Sequence, residues 1–305
     1  MATLVVAVAI AASPAHAWFE QRLAGSRGFS MGASAAANVS DVSALYWNPA
    51  GLAWMTRSQL LLDYAQPYLS KELSENSAAV GTRWRDTGIA AGWHWLGIPD
   101  TYSELAASLS AGRVIRRTDG GHAVAGGATL QYLRAGFDAF TVSGTGQAVD
   151  YGAKSALNAD LGVSWQTPWN MDFAWVGHDV FSPTLRFVDG APGGRLGFRN
   201  EVAAAFRWNR ESTVTAGLTL DPGGSTSLAL GAEIWFYDVF AIRSGFTDVS
   251  KIVAANDSPD EFQYTGGFGV QHKGWQVDAS AFTNHELGVS YRASLLKSFA
   301  IGARP

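Results

Sequence analysis

The chain has no cysteine and few charged residues, and both absences restrict its class. Without cysteine among its 305 residues, it can form neither a disulfide framework nor a thiolate site. Charged residues make up 16% of the sequence, whereas soluble domains carry roughly 25%. The net charge is −4, and no basic patch indicates nucleic-acid binding. Such a chain must be held together by a large core or by a closed sheet.

The sequence also lacks an apolar run long enough for a membrane-spanning helix, which needs roughly 18 residues. The run Leu4–Ala12 is shorter, Pro14 follows it, and Ala15 and Ala17 flank His16 in the small-residue pattern of signal cleavage sites. No Lys or Arg precedes the run, which departs from the usual signal. We expect residues 1–17 to be a cleaved signal peptide and the mature protein to be exported.

Beyond residue 57, apolar residues recur at every second position, which is the period of β-strands. Near residues 155–167, one row is apolar and the other is small or polar: Leu157, Ala159, Leu161, Val163 and Trp165 against Asn158, Asp160, Gly162 and Ser164. The alternation predicts about fourteen strands. They lie near 57–65, 75–85, 87–97, 103–115, 121–133, 155–167, 169–177, 195–208, 212–221, 225–237, 239–247, 261–273, 274–283 and 285–299.

Connection lengths and aromatic positions divide these strands between two ends. Short turns follow the even-numbered strands, and most connections after odd-numbered strands are longer, which is typical of outer-membrane barrels. Large aromatic residues cluster at the short-turn ends, as in an interfacial girdle: Trp84, Trp165, Trp169, Trp208, Phe236, Phe240, Trp275 and Phe299. We therefore predict an all-β fold, a transmembrane antiparallel barrel of about fourteen strands in the outer membrane. The alternative is a secreted β-sandwich.

A motif that a sheet does not need for folding precedes the first predicted strand. The segment reads DVSALYWNPAGLA from Asp41. Ser40 or Asp41 is placed to cap a short helix over Val42–Trp47, and Pro49 with Gly51 is placed to stop it. The segment is therefore expected to be compact, either inside the barrel or as a connector helix packed on a soluble domain.

Together with the glycine-rich stretch Ala24–Ala33, this motif resembles the N-terminal region of FadL-like outer-membrane barrels, most closely the PorV/PorQ family. The resemblance continues at Glu233–Trp235, Ala241–Phe246, Gly266–Val270 and His285–Tyr291. It implies that residues 18–56 fold inside the barrel as a plug and that residues 57–305 form the barrel. The plug motif would consist of Asp41, Asn48, Pro49, Ala50 and Gly51. The chain departs from the pattern at its end, where six residues follow the last aromatic, Phe299.

The resemblance implies two functions. FadL-type members pass hydrophobic molecules across the outer membrane, whereas PorV-type members are accessories of protein secretion. We expect a non-enzymatic barrel that binds or conducts hydrophobic small molecules, with outer-membrane lipids around it. The alternative is an accessory of a type IX-like secretion system that binds exported proteins, and a third reading is a structural role in the envelope. Apolar loops at 135–140 and 180–188 either form an exposed patch for partners or fold inward.

The inward rows also carry charged residues. If Phe236 and Phe240 face each other across their tight turn, Glu233 and Arg243 lie opposite on the inner face. Further inward-facing candidates are Asp160, Arg199, Glu201, Arg207, Asp278 and Arg292. We expect an ion-pair network that fills the barrel and anchors the plug; the alternative is a polar gate.

The sequence predicts no catalytic or metal site. No two His residues have metal-ligand spacing, and no His-Glu-x-x-His run occurs. One Gly-x-Ser-x-Gly run occurs, around Ser30, but no predicted strand precedes it, so it lacks the strand-to-helix turn of a nucleophile elbow. We therefore expect no enzyme, no metal and no cofactor, and no nucleic-acid partner.

Overall fold

The computed structural model describes residues 19, 22–141, 148–188, 193–220, 226–248, 262–284 and 287–299. In these residues the chain forms a closed barrel of fourteen antiparallel strands. The ring closes where the first strand pairs with the last, with Ser58 opposite Phe299 and Gln66 opposite Tyr291. A closed ring leaves no unpaired strand edge. The prediction of a fourteen-stranded barrel is confirmed, and the sandwich alternative is wrong.

Numbered from β1 to β14 in chain order, the barrel strands are Ser58–Gln66, Ser74–Trp84, Thr87–Ile98, Tyr102–Arg117, Ala123–Phe137, Ala153–Gln166, Met171–His178, Arg199–Arg207, Ser212–Leu220, Thr226–Phe236, Phe240–Asp248, Phe262–His272, Trp275–Asn284 and Gly288–Phe299. Each coincides with one predicted strand. Two short hairpins lie in the long connections: Phe140–Thr141 with Ala148–Val149, and Thr184–Leu185 with Gly194–Arg195. Their residues were predicted as loops, except Arg195, which was placed at the start of the strand near 195–208. A ladder of two residues is too short to produce a detectable alternation.

The two faces of each strand differ in exposure. On β4, Leu109 is 64% exposed while Ser108 and Ser110 beside it are buried. Its cross-strand partner on β5, Leu130, is 50% exposed. The apolar row therefore faces outward and the small, polar row faces the interior, because neighbouring strands keep the same face. This arrangement is that of a barrel surrounded by lipid.

One end of the barrel carries the short turns. Two or three residues join β2 to β3, β10 to β11 and β12 to β13. Positive φ angles at Arg85, Tyr237, Asp238 and Lys273 fit tight hairpin turns. Connections at the other end, the long-loop end, include residues 67–73, 138–152 and 179–198. The predicted asymmetry of the two ends is therefore confirmed, although the long connection predicted at Asp248–Asp260 lies outside the described residues after Asp248.

The predicted aromatic girdle is also present. All eight of its residues lie at the short-turn end with side chains that are between 38% and 73% exposed. Trp208 is the most exposed of them, and Trp84 and Trp169 are more than half exposed. Aromatic side chains at this position suit the boundary between lipid tails and headgroups.

The N-terminal segment, defined here as residues 22–55, folds into short helical pieces. They are α1 at Ser26–Phe29, α2 at Ala44–Trp47 and a 3₁₀ helix at Pro49–Trp54. Among the residues that the structure describes, no helix is long and apolar enough to cross a membrane. The segment is buried along most of its length, although it contains little regular structure.

The predicted helix over Val42–Trp47 is wrong in its start, and its predicted end before Pro49 is confirmed. Helix α2 has Ser43 at its N-cap, and no side chain caps its first turn. Asp41 Oδ1 instead accepts the Ser43 N–H at 2.8 Å and forms a turn ahead of the helix. Pro49 follows the end of α2 but begins the 3₁₀ helix. Its missing N–H costs nothing at the first helical position, where no partner exists.

Candidate functional site

The N-terminal segment contacts the inner wall on many sides. A Cβ added to Gly88 would lie 1.9 Å from the carbonyl oxygen of Leu52, so backbone meets backbone there. A Cβ added to any of five more wall glycines would also lie within 2.5 Å of an atom of the segment, which is a backbone atom except at Gly162, where it is Asn48 Oδ1. These glycines are on β4, β5, β6, β10 and β11: Gly112, Gly127, Gly162, Gly231 and Gly245. Because these strands lie around the ring, a segment that contacts all of them lies inside the barrel.

Asn48 ties the segment to itself and to the wall. The side chain is fully buried, and its Oδ1 accepts the Ala50 N–H at 3.0 Å. Its Nδ2 donates to the carbonyl oxygen of Ala36 at 2.9 Å and lies 3.4 Å from that of Val163 on β6. Pro49, Ala50 and Gly51 follow in the buried 3₁₀ helix. A buried amide with both ends bonded fixes the turn between the two helices.

Aromatic contacts form the apolar core of the segment. Trp47 Nε1 donates to the Ala24 carbonyl oxygen at 2.8 Å, and its ring meets Phe29 edge-on at 5.4 Å between ring centroids. The Tyr46 hydroxyl lies 2.8 Å from the Trp93 carbonyl oxygen on β3. Burial raises the pKa of Tyr46, with the Asp63 carboxylate adding to the effect. The hydroxyl therefore stays protonated and works as a hydrogen-bond donor to the wall.

The first charged cluster joins α1 to the wall. Glu233 and Arg243 lie opposite each other on β10 and β11, and Arg243 Nε donates to Glu233 at 2.7 Å. Arg243 also bonds Asp278 at 2.7 Å. Arg27 of α1 donates to both oxygens of Glu233 at 2.8 Å. Three of the inward-facing candidates thus meet in one network, and a cation from the N-terminal segment completes it.

The second cluster surrounds Arg292 on β14. Arg292 bonds Asp63 of β1 at 2.5 Å and also bonds Glu75 of β2. Its guanidinium carbon lies 3.9 Å from the centroid of the Phe29 ring. His94 Nε2 lies 3.7 Å from Glu75 and is buried. The sequence reasoning identified Arg292 alone, because both acidic partners lie on strands more than 200 residues away along the chain.

The third cluster lies at the long-loop end around Asp179. Arg22 of the N-terminal segment pairs with Asp179, whose other oxygen lies 3.5 Å from Arg199. Burial alone would raise the pKa of Asp179, but the two arginine charges outweigh it and hold the pKa below its usual range. Asp160 accepts the backbone N–H of Asp179 at 2.9 Å and an amide hydrogen of Gln131 at 3.0 Å. Asp160 therefore braces this cluster through hydrogen bonds rather than through an ion pair.

The two remaining candidates form local pairs. Glu201 lies 3.2 Å from the His178 ring, on the strand beside it. Arg207 pairs with Asp172 near the short-turn end. A polar cavity of about 60 Å³ separates this pair from the N-terminal segment, with room for a water molecule or two. The candidates therefore form several clusters rather than one network.

Apolar side chains beneath the long loops pack around Phe19, and we call the space that its ring fills the Phe19 pocket. The ring is 1% exposed and lies against Leu133 and Ala135 of β5 and Leu185 and Leu196 of the 179–198 connection. Ala106 also belongs to this apolar cluster, and three partly buried residues pack against the cluster: Tyr102, Ala156 and Phe187. The Phe19 backbone N–H donates to Glu104 at 3.0 Å. The sequence did not indicate this pocket, because the pocket depends on where a long loop folds.

The sequence left open whether the apolar loops at 135–140 and 180–188 fold inward or form an exposed patch, and the described residues show both arrangements. Ala135 is fully buried, and the Phe137 ring packs on Tyr102 at 5.0 Å and on Phe187 at 5.2 Å. In the second loop, by contrast, Phe181 is 58% exposed and Val188 is 48% exposed. Part of each loop lines the interior, and the second also presents apolar side chains to the outside.

No family model and no curated protein matches the chain. Among solved structures, the barrel is similar to the CymD monoaromatic hydrocarbon channel, with 13% identity, a TM-score of 0.64 and coverage of 93% of this chain and 100% of that one. It is also similar to the Pseudomonas putida toluene transporter TodX, with 11% identity, a TM-score of 0.62 and coverage of 90% and 98%. A Pseudomonas aeruginosa FadL homologue is similar as well, with 12% identity, a TM-score of 0.58 and coverage of 91% of this chain and 98% of that one. At these identities the likeness establishes a FadL-like fold.

Within the described residues, no group of three or more His, Cys, Asp or Glu could hold a metal ion. The charged clusters consist of mutually paired acids and arginines, which is an arrangement suited to holding parts together rather than to moving protons onto a substrate. The similar structures are channels rather than enzymes.

Proposed function

We propose that this protein is a non-enzymatic outer-membrane barrel that binds hydrophobic small molecules and passes them across the membrane. The observation that carries this proposal is the apolar Phe19 pocket inside a barrel whose outer face is itself apolar. The names of two similar structures, a monoaromatic hydrocarbon channel and a toluene transporter, support it. A pocket that holds one aromatic side chain has the size and the chemistry for an aromatic or aliphatic ligand.

In this proposal the three predicted regions have separate tasks. Residues 1–17 direct export, the N-terminal segment is a plug, and the barrel spans the outer membrane with its short turns in the periplasm. A ligand that arrives from the long-loop end displaces Phe19 or packs beside it. The contacts of Phe19 are apolar except for its backbone bond to Glu104 and the Arg22 guanidinium 5.9 Å from its ring centroid. Because Arg22 is paired with Asp179, a hydrocarbon ring replaces the side chain without leaving a charge unpaired.

Binding of toluene to the purified mature protein in detergent tests the proposal. The test variant is Ala135→Leu, which fills the pocket from β5. The control is Ala128→Leu, an exposed position on the same strand that faces outward. We expect the wild type and the control to bind alike and the pocket variant to bind about tenfold more weakly. Absence of hydrocarbon binding by the wild type, or equal binding by both variants, would contradict the proposal.

The second candidate is the secretion accessory implied by the narrower PorV/PorQ resemblance. The exposed Phe181 and Val188 at the long-loop end favour it, because apolar side chains outside the lipid zone mark surfaces for protein partners. Purification in a mild detergent, analysed for both lipids and proteins, separates the candidates. A stable complex with a secretion channel or with exported cargo would replace transport as the function.

A further inference from the structure

The outer surface near the turn between β2 and β3 carries an unusual concentration of arginine. Arg85 lies in that turn, and Arg113 and Arg116 lie near the end of β4. All three residues are exposed. We call these three residues the arginine edge. They stand at the short-turn end, at the level of the aromatic girdle.

A β-bulge places Arg116 on the outer face. The register between β4 and β5 shifts between Val114 and Arg116, so that Arg116 pairs with Val124. Val124 in turn pairs with the outward-facing Trp165 on β6. Arg113 faces outward and lies three residues earlier, so in regular alternation Arg116 would face the interior. The extra residue, Ile115, is 71% exposed on the same face.

The charge of the edge is poorly neutralised. Arg113 lies 3.5 Å from Asp86, and this pair is weak because its side chains are 64% and 75% exposed. Arg83 and Arg117 add two positive charges just inside, where Arg83 donates to the Ala53 carbonyl oxygen at 2.8 Å. The two neighbouring turns supply the acids Asp86 and Asp119. Five arginines against two acids leave a net charge of +3 on this side, although the whole sequence is at −4.

Apolar side chains surround these charges on the outer surface. Trp84 is 56% exposed, and the Arg85 guanidinium lies 5.0 Å from its ring centroid. Ile89 on β3 continues the apolar surface away from the turn, and Ile115 lies beside Arg116 near the end of β4. A ligand that fits has an anionic group level with the arginines and a hydrocarbon part that follows the wall. A free phosphate would not use the apolar half.

We propose that the arginine edge binds the headgroup of an anionic phospholipid, such as phosphatidylglycerol, in the membrane leaflet at the short-turn end. The guanidinium groups bind the phosphodiester oxygens, and Trp84 and Ile89 contact the upper part of the acyl chains. The inference rests on the proposed membrane location but not on the proposed transport of hydrocarbons. It assigns to this side of the barrel a lipid that differs from the bulk zwitterionic lipid.

Native mass spectrometry of the mature protein tests the site. The protein is released from micelles that contain equal amounts of phosphatidylglycerol and phosphatidylethanolamine, and the retained lipids are counted. The test variant carries Arg113→Gln and Arg116→Gln. The control carries Arg210→Gln and Lys273→Gln, which remove the same charge from turns elsewhere at the same end. We expect a preference for phosphatidylglycerol in the wild type and the control, and a roughly tenfold lower preference in the test variant.

Gel electrophoresis verifies that both variants are folded barrels, because a folded barrel migrates more slowly after heating than before it. Equal retention of the two lipids by the wild type would overturn the proposal. So would an equal loss in both variants, which would show a general effect of charge, or capture of a periplasmic protein at the edge in place of lipid. Toluene binding is measured on the same samples, so that a failure of the lipid proposal can be distinguished from a failure of the transport proposal.

Discussion

Arg292 is the residue whose removal the barrel should tolerate least. It is 1% exposed, two carboxylates share its guanidinium, and Phe29 of the N-terminal segment stacks on it. Replacing Arg292 by Met leaves Asp63 and Glu75 buried without a cation. We expect the free energy of unfolding to fall by about 3–5 kcal/mol, because an uncompensated buried charge costs more than the pair contributes. Denaturant titration of the folded protein in detergent measures this loss.

The triple variant Arg292→Met, Asp63→Asn, Glu75→Gln is the matched control. It removes the charges together, so we expect it to recover most of the lost stability. A triple variant as unstable as the single one would show that the shape of the arginine, rather than its charge, stabilises this part of the barrel.

Asp179 gives a prediction about pH. Its pKa in the folded protein is held below the ordinary value of 3.8. Its contribution to stability is therefore complete above about pH 3.8 and is lost as the pH falls through the lower folded pKa. We expect the difference in denaturation midpoint between the wild type and Asp179→Asn to stay constant from about pH 7 to pH 4 and to shrink below that. A difference that already shrinks near pH 6 would contradict this prediction.

At the residue scale, the sequence predicted the partners that a single hairpin brings together. Glu233 and Arg243 could be paired in advance because a tight turn fixes their register. Asp63 and Glu75 could not be assigned to Arg292, because the contact depends on closure of the ring between its first and last strands. Phe19 and Arg22 were missed for a related reason, since their positions depend on the path of the segment through the barrel.

The proposed role of the N-terminal segment as a plug can be tested at two adjacent glycines on β5. A Cβ on Gly127 would lie 2.3 Å from the carbonyl carbon of Pro49, whereas on Gly126 it would meet the flexible end of Ile115 at 2.8 Å. We expect Gly127→Ala to displace the segment and to raise ion conductance in planar bilayers several-fold, because backbone cannot yield as a side-chain end can. Gly126→Ala should conduct like the wild type.

Equal conductance of the two glycine variants, with unchanged proteolysis near residue 50, would mean that the segment does not obstruct the passage.

The N-terminal segment also shows what the alternation of apolar residues cannot predict. All fourteen strands followed from the period of two, since lipid outside and polar side chains inside impose it on every strand. The 3₁₀ helix did not follow, because Pro49 ends one helix and begins another, and local sequence does not distinguish these roles.

At the scale of the whole molecule, the outward apolar row, the girdle and the asymmetric connections describe one orientation in a membrane. Short turns at one end and long connections at the other correspond to the periplasmic and external sides in outer-membrane barrels. The ring could be predicted from the sequence because every strand repeats the same pattern. The filling of its interior could not, because each cluster there joins strands or segments that are distant along the chain.

The absence of cysteine makes this orientation directly testable, because any introduced thiol is the only one present. Tyr237, in a short turn, is 93% exposed, and Asp138 is exposed in a connection at the opposite end. We expect a membrane-impermeant maleimide to label Asp138→Cys on intact cells and to leave Tyr237→Cys unlabelled, since the outer membrane shields the periplasm. Permeabilised cells should label both variants. Labelling of Tyr237→Cys alone on intact cells would reverse the orientation, and labelling of both there would place the protein outside the membrane.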